Sequence, residues 1–194
     1  DEKSIINPSP ITITEGYFDI KDKVTIFLDA NLKNSKFKTI GTVENGTVKF
    51  DIKNGKVDVA DIGKIADFDI QGKGDINLSV LADNIKQEIE IKSKLEKFSF
   101  EGYNQDSVES LIKLDLKNNK LNINSFTAKT GQTMTNGYFK LGLADLSVDS
   151  NVYQSKFLVR DLKKMYAPAI ETIDISPEKI YGDWTTEVKI SGKL

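Results

Sequence analysis

Cysteine and histidine are both missing from this sequence of 194 residues. Their absence removes disulfides, thiolate and imidazole catalysis, and nearly all zinc, haem and iron–sulfur ligation. A chain without cysteine suits the cytosol and the bacterial periplasm equally, so this absence does not place the protein. No apolar run approaches the roughly 20 residues that a membrane-spanning helix needs. Neither charge sign is in excess: the formal net charge is −2 with 29% charged residues, which exerts no broad pull toward nucleic acid or an anionic membrane. Nucleic acid is therefore not an expected partner. An initiator methionine and a signal peptide are also missing, so the chain reads as a mature form or an excised piece of a longer protein.

What is present is alternation. From residue 70 to residue 146 short segments place an apolar residue at every second position: Ile76, Leu78 and Val80; Ile89 and Ile91; Phe98 and Phe100; Ile112, Leu114 and Leu116; Leu121 and Ile123; Phe139, Leu141 and Leu143. A period of two describes strands with one dry and one wet face. The intervening residues are Asp, Asn, Ser, Lys and Glu, so the sheet is one-sided, and what its dry face covers is the functional question. With 39% hydrophobic residues the chain has enough apolar material for a core.

Residues 1–10 are polar, carry Pro8 and Pro10, and read as a leader. Residues 11–194 read as a single segment. A loop at Lys21–Lys23 pairs Ile20 with Val24 and Phe18 with Ile26. Asn45-Gly46 predicts a turn pairing Val43 with Val48, and Asn54-Gly55 a second one pairing Ile52 with Val57 and Phe50 with Val59. Asn118-Asn119 is expected to pair Leu116 with Leu121 and Leu114 with Ile123; Asn136-Gly137 is expected to pair Met134 with Phe139. Parity changes between Leu95 and Phe98, and between Ile123 and Phe126, read as β-bulges. Helical signal is scarce: its best candidate is one or two turns at residues 160–167, where Leu162, Met165 and Tyr166 share a face ahead of Pro168, and a weaker one at Asp106 to Ile112 is continued as a strand by Ile112, Leu114 and Leu116. Ile173 and Ile175, then Trp184 to Ile190, return to extended chain. The fold class is thus all-β, an antiparallel meander of about a dozen strands. Open sheets rarely exceed about ten strands without curling or splitting, so a barrel, a sandwich and a gutter with its dry face inside all remain open.

Residues that suggest chemistry have simpler readings in such a sheet. Asp67 with Asp69, and Glu88 with Glu90, have the two-residue spacing of paired carboxylates, which a one-sided sheet puts on its wet face. Asp145, Asp149 and Asn151 do not match a calcium loop. Gly72-Lys73-Gly74 lacks the spacing and the following helix of a phosphate loop and reads as a bulge or a close backbone approach. Arg160, Lys163 and Lys164 read as the solvated side of the short helix, and the sequons at Asn45 and Asn77 carry no modification in a bacterial setting. No nucleophile elbow or metal cluster is present, so neither catalysis nor a cofactor is expected.

Ile70-Gln71-Gly72-Lys73-Gly74-Asp75-Ile76-Asn77-Leu78, then Phe98-Ser99-Phe100-Glu101-Gly102, then Ser110-Leu111 into Ile112–Leu116, Leu121–Phe126 and Asn136-Gly137-Tyr138-Phe139-Lys140-Leu141 together resemble the repeat unit of the AsmA-like superfamily, closest to its TamB (translocation and assembly module) branch. Val188 to Leu194 echoes Ile70 to Gly74, as if another unit began there. The likeness is one of pattern, since the family offers no catalytic signature to match, and this chain is richer in Lys, Asn and Ile than typical members. The resemblance implies a long sheet folded into a taco-like groove, in an inner-membrane-anchored protein of a diderm bacterium that reaches through the periplasm. It implies that the fifteen alternating residues named above line a conduit for phospholipid acyl chains. It also implies neighbouring repeats of the same chain and an outer-membrane β-barrel protein as partners, with a second role in outer-membrane protein or autotransporter assembly. A structural β domain of a surface protein is the reading from a different class.

Overall fold

The computed structural model describes residues 11–66, 68–158, 161, 164–165 and 183–193. Among these described residues alternation translates into eleven strands: β1 (Ile11–Ile20), β2 (Val24–Leu32), β3 (Ser35–Glu44), β4 (Thr47–Asp58), β5 (Ile70–Ala82), β6 (Gln87–Phe100), β7 (Tyr103–Asp115), β8 (Lys120–Thr130), β9 (Thr133–Gly142), β10 (Ser147–Leu158) and β11 (Asp183–Lys193). One helix, α1 (Val59–Ala66), interrupts them between β4 and β5. All eleven strands lie in sequence order in one antiparallel sheet, and β1 and β11 do not meet, so the sheet is open. The antiparallel meander is therefore as expected, and the closed barrel is not formed.

Directly opposed residues of antiparallel strands share a face. Ile52, Leu78, Ile91, Ile112, Ile123 and Phe139 stand opposite one another in succession from β4 to β9. A second row runs beside it through Phe50, Val80, Ile89, Leu114, Leu121 and Leu141. The period-two reading of the dry face holds across six strands. On the opposite face the opposed residues are charged: Lys94 meets Glu109 at 2.8 Å, Lys113 meets Glu90 at 3.0 Å and Lys140 meets Asp149 at 3.1 Å.

Two turns fall where expected. Ile20 opposes Val24 and Phe18 opposes Ile26, and Val43 opposes Val48 around Asn45-Gly46. Two others do not, and a third keeps its place with a different register. Asn54-Gly55 is no hairpin: β4 runs straight on, Ile52 opposes Thr39 and Leu78, Phe50 opposes Gly41 and Val80, and Val57 opposes Gly74. A bulge occupies the site instead, with Asn54 at φ 52°. The space a Gly55 side chain would take is filled by Ile52, Ile76 and Phe37, which lie 2.9–3.1 Å from a Cβ built there. Asn136-Gly137 likewise lies inside β9, where a Cβ on Gly137 would sit 2.4 Å from the Asn151 carbonyl oxygen. The reversal occurs at Gly131-Gln132, so Met134 opposes Lys129 and Ser155 rather than Phe139. At Asn118-Asn119 the loop is wider, giving Leu114 opposite Leu121 and Ile112 opposite Ile123. Asp115 holds that loop by accepting the Asn118 backbone N–H at 2.9 Å and its side-chain amide at 2.7 Å.

Both expected bulges are present. Register between β8 and β9 shifts between Ile123 and Phe126. Lys97, with φ 50°, separates Leu95 from Phe98, and the β5–β6 register shifts alongside it between Gln71 and Lys73. Gly72 sits in that irregularity at φ 141°, with Phe98 Cα 3.3 Å from the position of a Cβ, which bears out its reading as a close backbone approach.

Helix α1 replaces the strand pairing expected for Val59. Asp58 accepts the Ala60 N–H at 3.2 Å, an N-cap arrangement, and Val59 and Ile62 share a face at i, i+3. Of the helix expected at 160–167, Asp161, Lys164 and Met165 are helical; its other positions lie outside the described residues, as do the leader at 1–10 and the extended segment around Ile173 and Ile175. The expected return to extended chain at Trp184–Ile190 is β11.

The core is small and sits at one end of the strands. Val57, Val59 and Leu95 are buried together, with Phe37, Ile70, Ile76 and Phe98 packed around them. There α1 covers the apolar face. Between β5 and β9 the apolar rows farther from α1 are half-buried only.

Candidate functional site

A concavity of about 600 Å³ opens on the apolar face. Its walls come from α1 and from β4 to β9, because bulges at Lys97 and between Ile123 and Phe126 keep both ends of these strands on one face. Of the fifteen residues expected to line a conduit, Ile76, Ile91, Phe98, Phe100, Ile112 and Ile123 line it. Leu78, Val80, Ile89, Leu114, Leu121, Phe139 and Leu141 continue the same two rows beyond it as half-buried residues. Leu116 and Leu143 do not belong to those rows. Each lies in a loop past the end of its strand, 48% and 46% exposed, because the wide loops at 116–119 and 143–146 end the ladders early.

Sequence reasoning missed part of the wall. Leu95, Val108, Phe126 and Ala128 line the concavity, and the same alternation, followed across the two bulges, would have found them. Val59 and Ile62 come from α1, whose signal is a repeat: Val59-Ala60-Asp61-Ile62-Gly63-Lys64-Ile65 matches Val159-Arg160-Asp161-Leu162-Lys163-Lys164-Met165 as V-x-D-(I/L)-x-K-(I/M).

The two aspartates of that repeat act alike. Asp61 is 1% exposed and its Oδ2 accepts the Asn34 N–H and the Ser35 hydroxyl, each at 3.0 Å. Asp161 accepts the Gln132 N–H at 3.1 Å, the Thr133 N–H at 3.2 Å and the Thr133 hydroxyl at 2.9 Å. Each helical carboxylate thereby caps a hairpin two strands earlier, Lys33 and Gly131 being the left-handed residues of the respective turns at φ 52° and 59°. By contrast, the echo between Ile70–Lys73 and Ile190–Lys193 extends to the glycine backbone, at φ 141° and 151°, but not to its place in the sheet. Gly72 lies at the start of β5 and Gly192 at the end of β11, at opposite ends of the sheet.

The wall turns polar toward β9–β11. Thr186 donates to Gln154 at 3.1 Å and Gln154 donates to Thr135 at 3.2 Å, forming a buried chain on the same face. On the outer face, hydrogen bonds from Lys113 and then Lys92 hold the Glu90 carboxyl below its ordinary value, and Glu109 raises the Lys94 ammonium. Among the described residues, no cluster of His, Cys, Asp and Glu could hold a metal ion. Glu88 and Glu90 belong to the outer ladder, where Glu90 bridges Lys92 and Lys113. Asp67 is outside the described residues.

The fold and site define a class: an open antiparallel β-sheet whose apolar face is covered at one end and half-buried along its middle. No protein-family model, no curated protein and no solved structure matches the chain.

Proposed function

We propose that this chain is a non-enzymatic hydrophobic conduit, a segment of an AsmA-like, TamB-type protein that carries phospholipid acyl chains across the periplasm of a diderm bacterium. The observation that carries this reading is the half-buried state of the two apolar rows from Leu78 and Val80 to Phe139 and Leu141, beside a concavity of about 600 Å³ that the protein's own side chains leave unfilled. A folded domain ordinarily fills such space to crystal-like density. Strands lie roughly 4.8 Å apart, so the rows from β4 to β9 extend about 24 Å. That exceeds one lipid tail, which spans about half of a 30 Å hydrocarbon core, or roughly 15 Å. At roughly 25 cal/mol per Å² of apolar surface removed from water, a tail is held by the length of the strip rather than by one contact. Conduction asks for this, since no single residue then traps the cargo.

Substitution of Leu114 by Asp tests the reading. Leu114 sits mid-row and is half-buried, so the variant keeps the circular-dichroism spectrum and melting cooperativity of the wild type. Mass spectrometry finds co-purified phospholipid in the wild type and much less in the variant. A wild type that carries no lipid, takes up none from vesicles and unfolds on this substitution replaces the conduit with a structural β domain.

Among the described residues β1 pairs on one side only, with β2, and this favours a second reading, a scaffold offering a strand to an incoming outer-membrane β-barrel protein. Ile13, Phe18 and Ile20 are each more than half exposed there. Photo-crosslinkers at Thr12 and Asp19 that capture a nascent barrel strand would favour it over lipid carriage.

A further inference from the structure

The last strand carries a charge pattern that reads the same, with signs exchanged, from both ends. In Asp183-Trp184-Thr185-Thr186-Glu187-Val188-Lys189-Ile190-Ser191-Gly192-Lys193, the acids at 183 and 187 and the bases at 189 and 193 are placed symmetrically about Val188. Among the described residues β11 has a neighbour on one side only, β10. Glu187 and Lys189 oppose Tyr153 and Asn151 and lie on the outer face, while Thr186, Val188 and Ile190 oppose Gln154, Val152 and Ser150 on the groove face. Residues 185 and 187 to 193 are exposed, Val188 at 52% and Ile190 at 54%.

We propose that β11 is the docking edge for a second copy of this chain, paired antiparallel about a two-fold axis at Val188. An exposed strand edge of this length is a template for another strand, and the charges select the partner and the register. With the axis at Val188, Glu187 of each copy stands opposite Lys189 of the other, Thr185 opposite Ser191, and the register places Asp183 opposite Lys193. Moving the axis by one residue toward either end puts Glu187 opposite Glu187 or Lys189 opposite Lys189, and directly opposed like charges are destabilising. Opposed residues share a face, so Val188 meets Val188 on the groove side and the groove faces of the two copies lie on the same side of one joined sheet. A two-fold contact of this kind is closed and self-complementary. Glu187 is partly pre-positioned for it: it accepts a hydrogen bond from Asn151 at 3.0 Å and pairs with Lys189 of its own strand at 3.1 Å.

Two charge-reversed variants of the full chain test this, Lys189→Glu and Glu187→Lys. Sedimentation equilibrium of the wild type is expected to give a dimer. Each variant alone is expected to dissociate on the order of tenfold or more readily, with an unchanged circular-dichroism spectrum, and an equimolar mixture of the two is expected to restore a heterodimer. Because the native chain has no cysteine, Val188→Cys reports the register directly: a short bis-thiol reagent links it to itself, whereas Ile190→Cys, opposite Thr186 of the second copy, is not linked. A wild type that stays monomeric at about 100 µM, variants that dimerise unaltered, a mixture that stays monomeric, or linkage at 190 in place of 188 each overturn the proposal. So does hydrogen-exchange protection of β11 in a monomer, which would mean that the edge is covered by the chain itself.

Discussion

Asp61 accepts the hydroxyl of Ser35 at 3.0 Å, both residues being almost wholly shielded from water, and so fastens the first turn of α1 to the β2–β3 hairpin. Asp61→Ala leaves the Ser35 hydroxyl and the Asn34 N–H without this acceptor, a cost of about 1–3 kcal/mol. Urea unfolding should show a lowered midpoint with little change in slope. Asp61→Asn, which keeps an accepting oxygen, should lose less.

Leu95 and Leu114 take the same face of adjacent strands, six register positions apart, and differ in burial, Leu95 being 6% exposed within the small core and Leu114 half-buried on the open row. Leu95→Ala should cost about 2–4 kcal/mol, since it leaves a cavity in packed surroundings. Leu114→Ala should cost under about 1.5 kcal/mol, because part of its surface is already in water. Equal losses in thermal denaturation would mean that the middle of the face is packed and closed.

Gly74 lies so close to β6 that a Cβ would stand 1.9 Å from the Lys94 carbonyl oxygen, whereas Gly46, at φ 74°, has nothing within 4 Å. Gly46→Ala should therefore cost only the left-handed strain, roughly 1–2 kcal/mol. Gly74→Ala forces the two backbones apart and should lower the melting temperature much further. The order reverses if conformational freedom, rather than space, is what β5 needs.

Glu90 takes part in the outer ladder through Lys113 and Lys92, and these hydrogen bonds depress its pKa from the ordinary 4.5, while Glu90 raises that of Lys113 from 10.5. A depressed carboxylate contributes stability above its unfolded value and loses it as pH falls through the folded one; a raised ammonium contributes below its unfolded value and loses it as pH rises through the folded one. Glu90→Gln should be slightly less stable than wild type at neutral pH, and the two should converge as the pH falls below 4.5. The effect is small and salt-sensitive because the pair faces solvent. Chemical-denaturation curves at several pH values read it directly.

Alternation is a local property, and for this reason the sequence by itself determined which face each of Ile76, Leu114, Ile123 and Phe139 takes, the two bulges, and an all-β meander. A peptide plane admits one side chain per face per two residues, whatever lies beside it. Which Asn-containing pairs become turns was not local. Asn45-Gly46 reverses the chain, while Asn54-Gly55, as a bulge, and Asn136-Gly137 stay within their strands, because β4 and β9 find partners along both edges and because neighbouring side chains or carbonyls occupy the space each glycine leaves. Helix α1, too, was decided by tertiary structure, through the Asp61 cap on a hairpin 26 residues away in sequence. The partial cover over the apolar face follows from the same cause. Periodicity tells which side chains turn away from water, but only the packing of α1 against β5 and the failure of β1 to meet β11 determine how much of that face stays open.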